Sequence, residues 1–144
     1  MPAISGSFSG NVKVLTALTL SDQPNHELNL AEVGGIQKTS DDKWNNARIT
    51  YWGTTDIAGG SGKQSGYFVN DHGADGRDYG TFEGKVAANV TGMTVEGAWK
   101  YTGGTGKFQG ITGGGTFRTR VNVARGVECN WQGAYELATL RAHG

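Results

Sequence analysis

Short runs in which apolar or β-branched residues alternate with polar ones recur along the chain, and glycine and other turn formers break them every ten residues or so. A period of two marks half-buried strands. Such runs lie at 12–20, 27–33, 47–52, 66–70, 79–86, 94–101, 115–123 and 127–137. Turn signals separate them: Ser-Asp-Gln-Pro-Asn at 21–25, Thr-Ser-Asp-Asp at 39–42, a glycine-rich stretch at 57–63, an Asn/Asp/Gly cluster at 70–78, Asn-Val-Thr-Gly at 89–92 and Thr-Gly-Gly-Thr-Gly at 102–106. Helical periodicity is hard to find, because glycine recurs within most windows and costs about 1 kcal/mol in a helix interior.

The pattern predicts an all-β fold of eight strands in one domain, residues 1–144. An open eight-stranded sheet leaves two edges to protect, whereas a closed barrel removes them and encloses a lumen that side chains can fill or that can hold one small ligand. An eight-stranded antiparallel closed β-barrel is therefore the expected architecture, with a β-sandwich as the alternative that periodicity alone leaves open. Composition agrees: 25 of 144 residues are Gly with no triplet period, while 36% hydrophobic and 10% aromatic content is enough to build a core. Glycines inside strands, at Gly80, Gly84, Gly97, Gly110 and 113–115, suit the bulges and close approaches that closure demands.

Thirteen basic residues balance thirteen acidic ones, which argues against a nucleic-acid partner. No run reaches the roughly 18 apolar residues of a membrane helix, and the first ten residues lack the features of a signal peptide. The expectation is a soluble chain that engages no membrane, with its compartment open. Between Lys100 and Arg125 there are five basic residues and no acidic one, either a solvated strand face or a patch able to hold a carboxylate; Arg118 and Arg120 share a strand face there. Cys129 is the single cysteine, which excludes an intrachain disulfide and a cysteine-based zinc site. It reads as a small buried apolar residue.

Three segments in order resemble the allene oxide cyclase barrel family, which is related to the dirigent proteins. His26-Glu27-Leu28-Asn29-Leu30 is similar to an early strand of the cyclases, and Tyr67-Phe68-Val69-Asn70-Asp71-His72 to a strand ending in an acid and a histidine. The strongest segment is Tyr101-Thr102-Gly103-Gly104-Thr105-Gly106-Lys107-Phe108-Gln109-Gly110, which resembles a glycine-rich stretch that both groups carry. That element is not a phosphate loop: Tyr101 stands at the first glycine position, Phe108 follows Lys107, and the next segment reads as a strand. The resemblance implies an eight-stranded barrel, a trimer formed through outward barrel faces, and chemistry without a metal or other cofactor. It also implies that Glu27 and Asn29 are catalytic, with Asn29 holding a water that anchors a substrate oxygen and Glu27 stabilising developing positive charge. Two departures weaken a fatty-acid epoxide as substrate. Tyr67 stands where the cyclases carry a cysteine, and Gly34, Gly35 and Ile36 occupy the stretch where they have a proline.

The residues themselves frame the question of orientation. Glu27 and Asn29 are two apart and share one face of a strand, with Leu28 and Leu30 on the other. The default for a half-buried strand turns the leucines inward, and the resemblance implies the reverse. Trp52, Tyr67, Trp99, Phe117 and Trp131 lie in predicted strands and are candidates to wall a site for a small hydrophobic, ring-bearing ligand, or simply to pack the core. His72 is the candidate acid or base at the barrel mouth; with Asp71, Asp75 and Asp78 it forms an acidic loop cluster that reads as turn chemistry and lacks the pattern of a calcium loop. The functions expected are a cofactor-independent isomerase or cyclase acting within the barrel, or a lipocalin-like binding barrel without catalysis. A filled, structural barrel is the third reading.

Overall fold

The computed structural model describes residues 2–138. Eight strands follow in chain order: β1 (Ala3–Leu20), β2 (His26–Thr39), β3 (Arg48–Ala58), β4 (Ser61–Asp71), β5 (Arg77–Asn89), β6 (Gly92–Gly104), β7 (Thr112–Asn122) and β8 (Gly126–Glu136). Each pairs antiparallel with the next, and β8 returns to β1, so the sheet closes as an up-and-down barrel. All eight predicted strands exist. Most run longer than the alternation suggested, because hydrogen-bonded strand continues through glycines that the pattern reads as turns. The stretch at 57–63 is the clearest case: only Gly59 and Gly60 form the loop, with φ of 62° and 84°. Two successive positive φ values are what a two-residue hairpin loop needs to match the strand twist, and glycine adopts them without strain.

Side-chain direction alternates around the barrel. In β3, Ile49, Tyr51 and Thr55 face inward and are buried; Trp52 faces outward. Glycine lets strands approach where inward residues would collide: a Cβ at Gly97 of β6 would lie 1.9 Å from the Glu83 carbonyl oxygen of β5.

The two ends of the barrel differ. One carries the short hairpin turns; the other carries the longer loops, which fold over the lumen as a plug. Trp44, from the β2–β3 loop, is fully buried there against Phe108, Tyr135, Tyr101 and His72, with ring centroids 4.6–6.5 Å apart. Phe108 comes from the one-turn helix Gly106–Phe108 inside the glycine-rich segment and is 1% exposed. A tryptophan in the polar run Asp-Asp-Lys-Trp-Asn-Asn is thus a lid residue whose indole must find a core.

Candidate functional site

Above the plug the lumen holds a cavity of about 70 Å³, walled by rings and a few amides. The rings pack edge to face: Trp99 on Trp131 at 5.8 Å and 88°, Phe82 on Phe117 at 5.8 Å and 89°, Tyr51 on Phe82 at 5.4 Å and 89°. This geometry sets the positive ring edge of one aromatic against the negative face of the next. Phe82, Phe117 and Trp131 point inward yet are only partly buried, so the lumen is accessible at their level. The polar members of the wall are Gln37, Gln64, Asn70, Thr119 and Cys129.

A single directed chain of hydrogen bonds fixes the floor. The Trp131 indole can only donate, and it donates to Gln37 Oε1 at 2.9 Å. Gln37 must then present Nε2 onward, and it donates to Asn70 Oδ1 at 3.0 Å. Asn70 Nδ2 in turn donates to Asp78 Oδ1 at 2.8 Å. The chain starts on a pure donor and ends on a carboxylate, so each amide has one orientation that satisfies its neighbours. Asp78 is fully buried, and its second oxygen lies 2.5 Å from His72 Nε2. His72 Nδ1 donates to the Lys43 carbonyl at 2.7 Å, so the contact between Nε2 and the carboxyl holds one shared proton. Burial is the larger influence on Asp78 and raises its pKa, while the bonds from His72 and Asn70 pull it down. The Trp44 indole nitrogen lies near Asp78 and Tyr101 without a well-formed hydrogen bond to either.

The sequence candidates separate into three places. Trp99, Phe117 and Trp131 line the lumenal cavity as expected. Trp52 and Tyr67 do not: they are paired across β3 and β4 on the outer wall, 36% and 65% exposed, beside a groove of about 650 Å³. Strand parity decides this: Tyr51 and Phe68 hold the inward positions beside them, while the inward neighbours on the other side, Gly53 and Gly66, are too small to show in an alternation pattern. His72 is not at the accessible mouth; its side chain is 2% exposed and belongs to the plug.

Glu27 and Asn29 lie on the lumen-side face of β2, the face of Val33 and Gln37, with Leu28 and Leu30 outward at 39% and 50% exposure. The default orientation of the leucines is therefore reversed. Both polar residues sit near the start of β2, where the β1–β2 hairpin runs past the packed core. Glu27 is exposed, accepts a 3.2 Å hydrogen bond from Asn29, and neither residue lines the cavity.

The remaining candidates behave as ordinary structure. Asp71 caps the Gly73 amide at 2.9 Å as a turn residue, and Asp75 pairs with Lys107 at 2.9 Å. Arg118 pairs with Glu96 at 3.2 Å on the outer wall. Cys129 faces the lumen beside Phe8, and burial pushes its thiol up to about 11, which keeps it protonated at neutral pH. Among the described residues no cluster of His, Cys, Asp and Glu has the arrangement of a metal site.

Comparison with known protein families, characterised proteins and solved structures returns no match. The lumen is the site that the geometry singles out, and the residues the sequence did not bring forward there are Gln37, Gln64, Asn70 and Asp78. Asn70 and Asp78 are direct partners across β4 and β5, a juxtaposition that only the register reveals.

Proposed function

We propose that this barrel binds a small, flat, largely apolar molecule in its lumen and acts as a binding module. The observation that supports the reading is the accessible aromatic cavity itself: rings arranged edge to face, a few oriented amides, and no charged side chain on its wall. A cavity of about 70 Å³ suits a ligand of one ring seated partly against the exposed rims of Phe82 and Phe117. Tyr51, Gln64 and Asn70 line the cavity and are the polar groups in reach of one or two polar atoms on such a ring.

A cofactor-independent isomerase or cyclase, the activity implied by the resemblance to the allene oxide cyclase barrels, is the second reading. It draws on the shared lumen-side face of Glu27 and Asn29. A carboxylate acts strongly on a cationic centre only where water is excluded, and Glu27 is exposed, so binding stands ahead of catalysis.

Phenol and p-cresol, each of one ring, are suitable probes. Ligand at a hundred times its Kd stabilises the native state by about 2.7 kcal/mol, seen as a rise in melting temperature. Replacing Thr119, a buried lumenal residue, with Phe fills the cavity and removes that rise. Absence of any rise with either probe, or a rise that survives Thr119→Phe, overturns the proposal.

A further inference from the structure

β1 is the longest strand, and its two halves keep different company. Its first half pairs with β8 from Ala3 to Asn11 and with β2 from Gly6 onward, so Gly6 to Asn11 is sandwiched between the two. Pairing with β8 ends at Asn11, just before a bulge in the β1–β2 register between Val12 and Val14. From Val14 to Leu20 it pairs with β2 alone, and among the described residues no other backbone bonds to its second edge. A barrel has no free edges in principle; this hairpin restores one.

Beyond the bulge and Lys13 at its start, the exposed edge is also undefended. Natural edge strands are protected by lysine, proline, a bulge or an inward charge. Residues 14–20 read Val-Leu-Thr-Ala-Leu-Thr-Leu, without charge, proline or glycine and rich in strand-forming residues. Val14, Leu15 and Leu18 are 54%, 40% and 65% exposed. Apolar side chains on both faces of a strand with an open backbone edge describe a surface made to be paired.

We propose that this edge pairs antiparallel with the same edge of a second copy of the chain, on a two-fold axis through Ala17. That register sets Val14 against Leu20, Leu15 against Thr19 and Thr16 against Leu18, with every facing pair uncharged. It also sets Lys13 of each copy against Ser21 of the other, one residue from Asp22, whose carboxylate is exposed and holds His26 at 2.6 Å, so opposite charges lie close at both ends of the pairing. Every second residue of the segment then bonds through both its amide and its carbonyl. Because each barrel carries one such edge, the pairing consumes both and stops at a dimer. This dimer is distinct from the trimer through barrel faces that the family resemblance implies.

Sedimentation of the full chain tests it. The expected result is a concentration-dependent species of twice the 15.2 kDa chain mass. Ala17 is exposed, so Ala17→Lys and Ala17→Glu leave the fold intact. Each alone sets like charges on the axis and weakens the dimer by about tenfold or more, and mixing the two restores it. Amide exchange in the wild type gives a readout that needs no variant: residues 14–20 gain protection as concentration rises. A monomer at every concentration overturns the proposal. So does a trimer, a dimer indifferent to Ala17→Lys, a mixture that fails to reassociate, or exchange at 14–20 that does not respond to concentration.

Discussion

Removing the Asp78 carboxylate should be among the most damaging single changes to this protein, and replacing it by its amide among the more tolerable. The carboxylate is fully buried and accepts from Asn70 at 2.8 Å while facing His72 at 2.5 Å. Asp78→Ala leaves Asn70 Nδ2 and His72 Nε2 without this partner in the buried floor, where His72 stacks on Phe108. Breaking a buried, hydrogen-bonded ionisable pair costs about 3–5 kcal/mol. For a chain of this size, that lowers the melting temperature by roughly 10–15 °C. Asp78→Asn behaves differently because of the histidine tautomer. With His72 Nδ1–H committed to the Lys43 carbonyl, neutral Nε2 is an acceptor, so the introduced amide can donate to it while its carbonyl still accepts from Asn70. The cost is then about 1 kcal/mol. Urea unfolding followed by tryptophan fluorescence measures both. An Asp78→Ala variant within about 1 kcal/mol of the wild type, or an Asp78→Asn variant as unstable as Asp78→Ala, refutes the directed-chain account of the floor.

Three further outcomes follow from the same geometry. His26 lies between two carboxylates, Asp22 at 2.6 Å and Asp56 at 2.7 Å, so both ring nitrogens must donate and its pKa is raised, chiefly by Asp22 and then Asp56. The stability this gives to the β1–β2 turn is complete below the ordinary histidine value and is lost as pH rises through the raised one. An NMR titration of His26 with a midpoint at or below 6.5 contradicts it. Cys129, with its thiol near 11 against an ordinary 9.0, should react with iodoacetamide at pH 8 about a hundredfold more slowly than an unperturbed thiol; labelling at the free-cysteine rate contradicts the burial argument. Gly97→Ala forces a methyl group to within 1.9 Å of the Glu83 carbonyl oxygen and should cost about 1–3 kcal/mol or more, so an unchanged melting curve disproves the close approach of β5 and β6.

The fold was legible in the sequence, and the site only in part, for reasons that particular residues make plain. Strand number and closure could be read because alternation and turn chemistry are local. Strand ends could not, since Gly92, Gly103 and Gly104 are strand residues that resemble turn. Trp52 and Tyr67 look no different in sequence from Trp99 and Trp131. What separates them is which parity of each strand faces the lumen, and that depends on register around the whole barrel. The inward face of β2 belongs to Glu27 and Asn29 instead of the leucines because Val33 and Gln37, further along, set its parity inside the closed core. His72 and Asp78 read as loop polarity, whereas pairing of Asn70 with Asp78 draws them under the lumen floor.

The four tryptophans provide the most direct test of the binding reading, since each reports on a different place: Trp99 and Trp131 in the lumen, Trp44 in the plug, Trp52 on the outer wall. Their indole N–H resonances can be followed in one titration with phenol or p-cresol. Binding in the lumen shifts Trp99 and Trp131 in a saturable way and leaves Trp52 in place. Saturable shifts confined to Trp52, or none at Trp99 and Trp131, contradict the account.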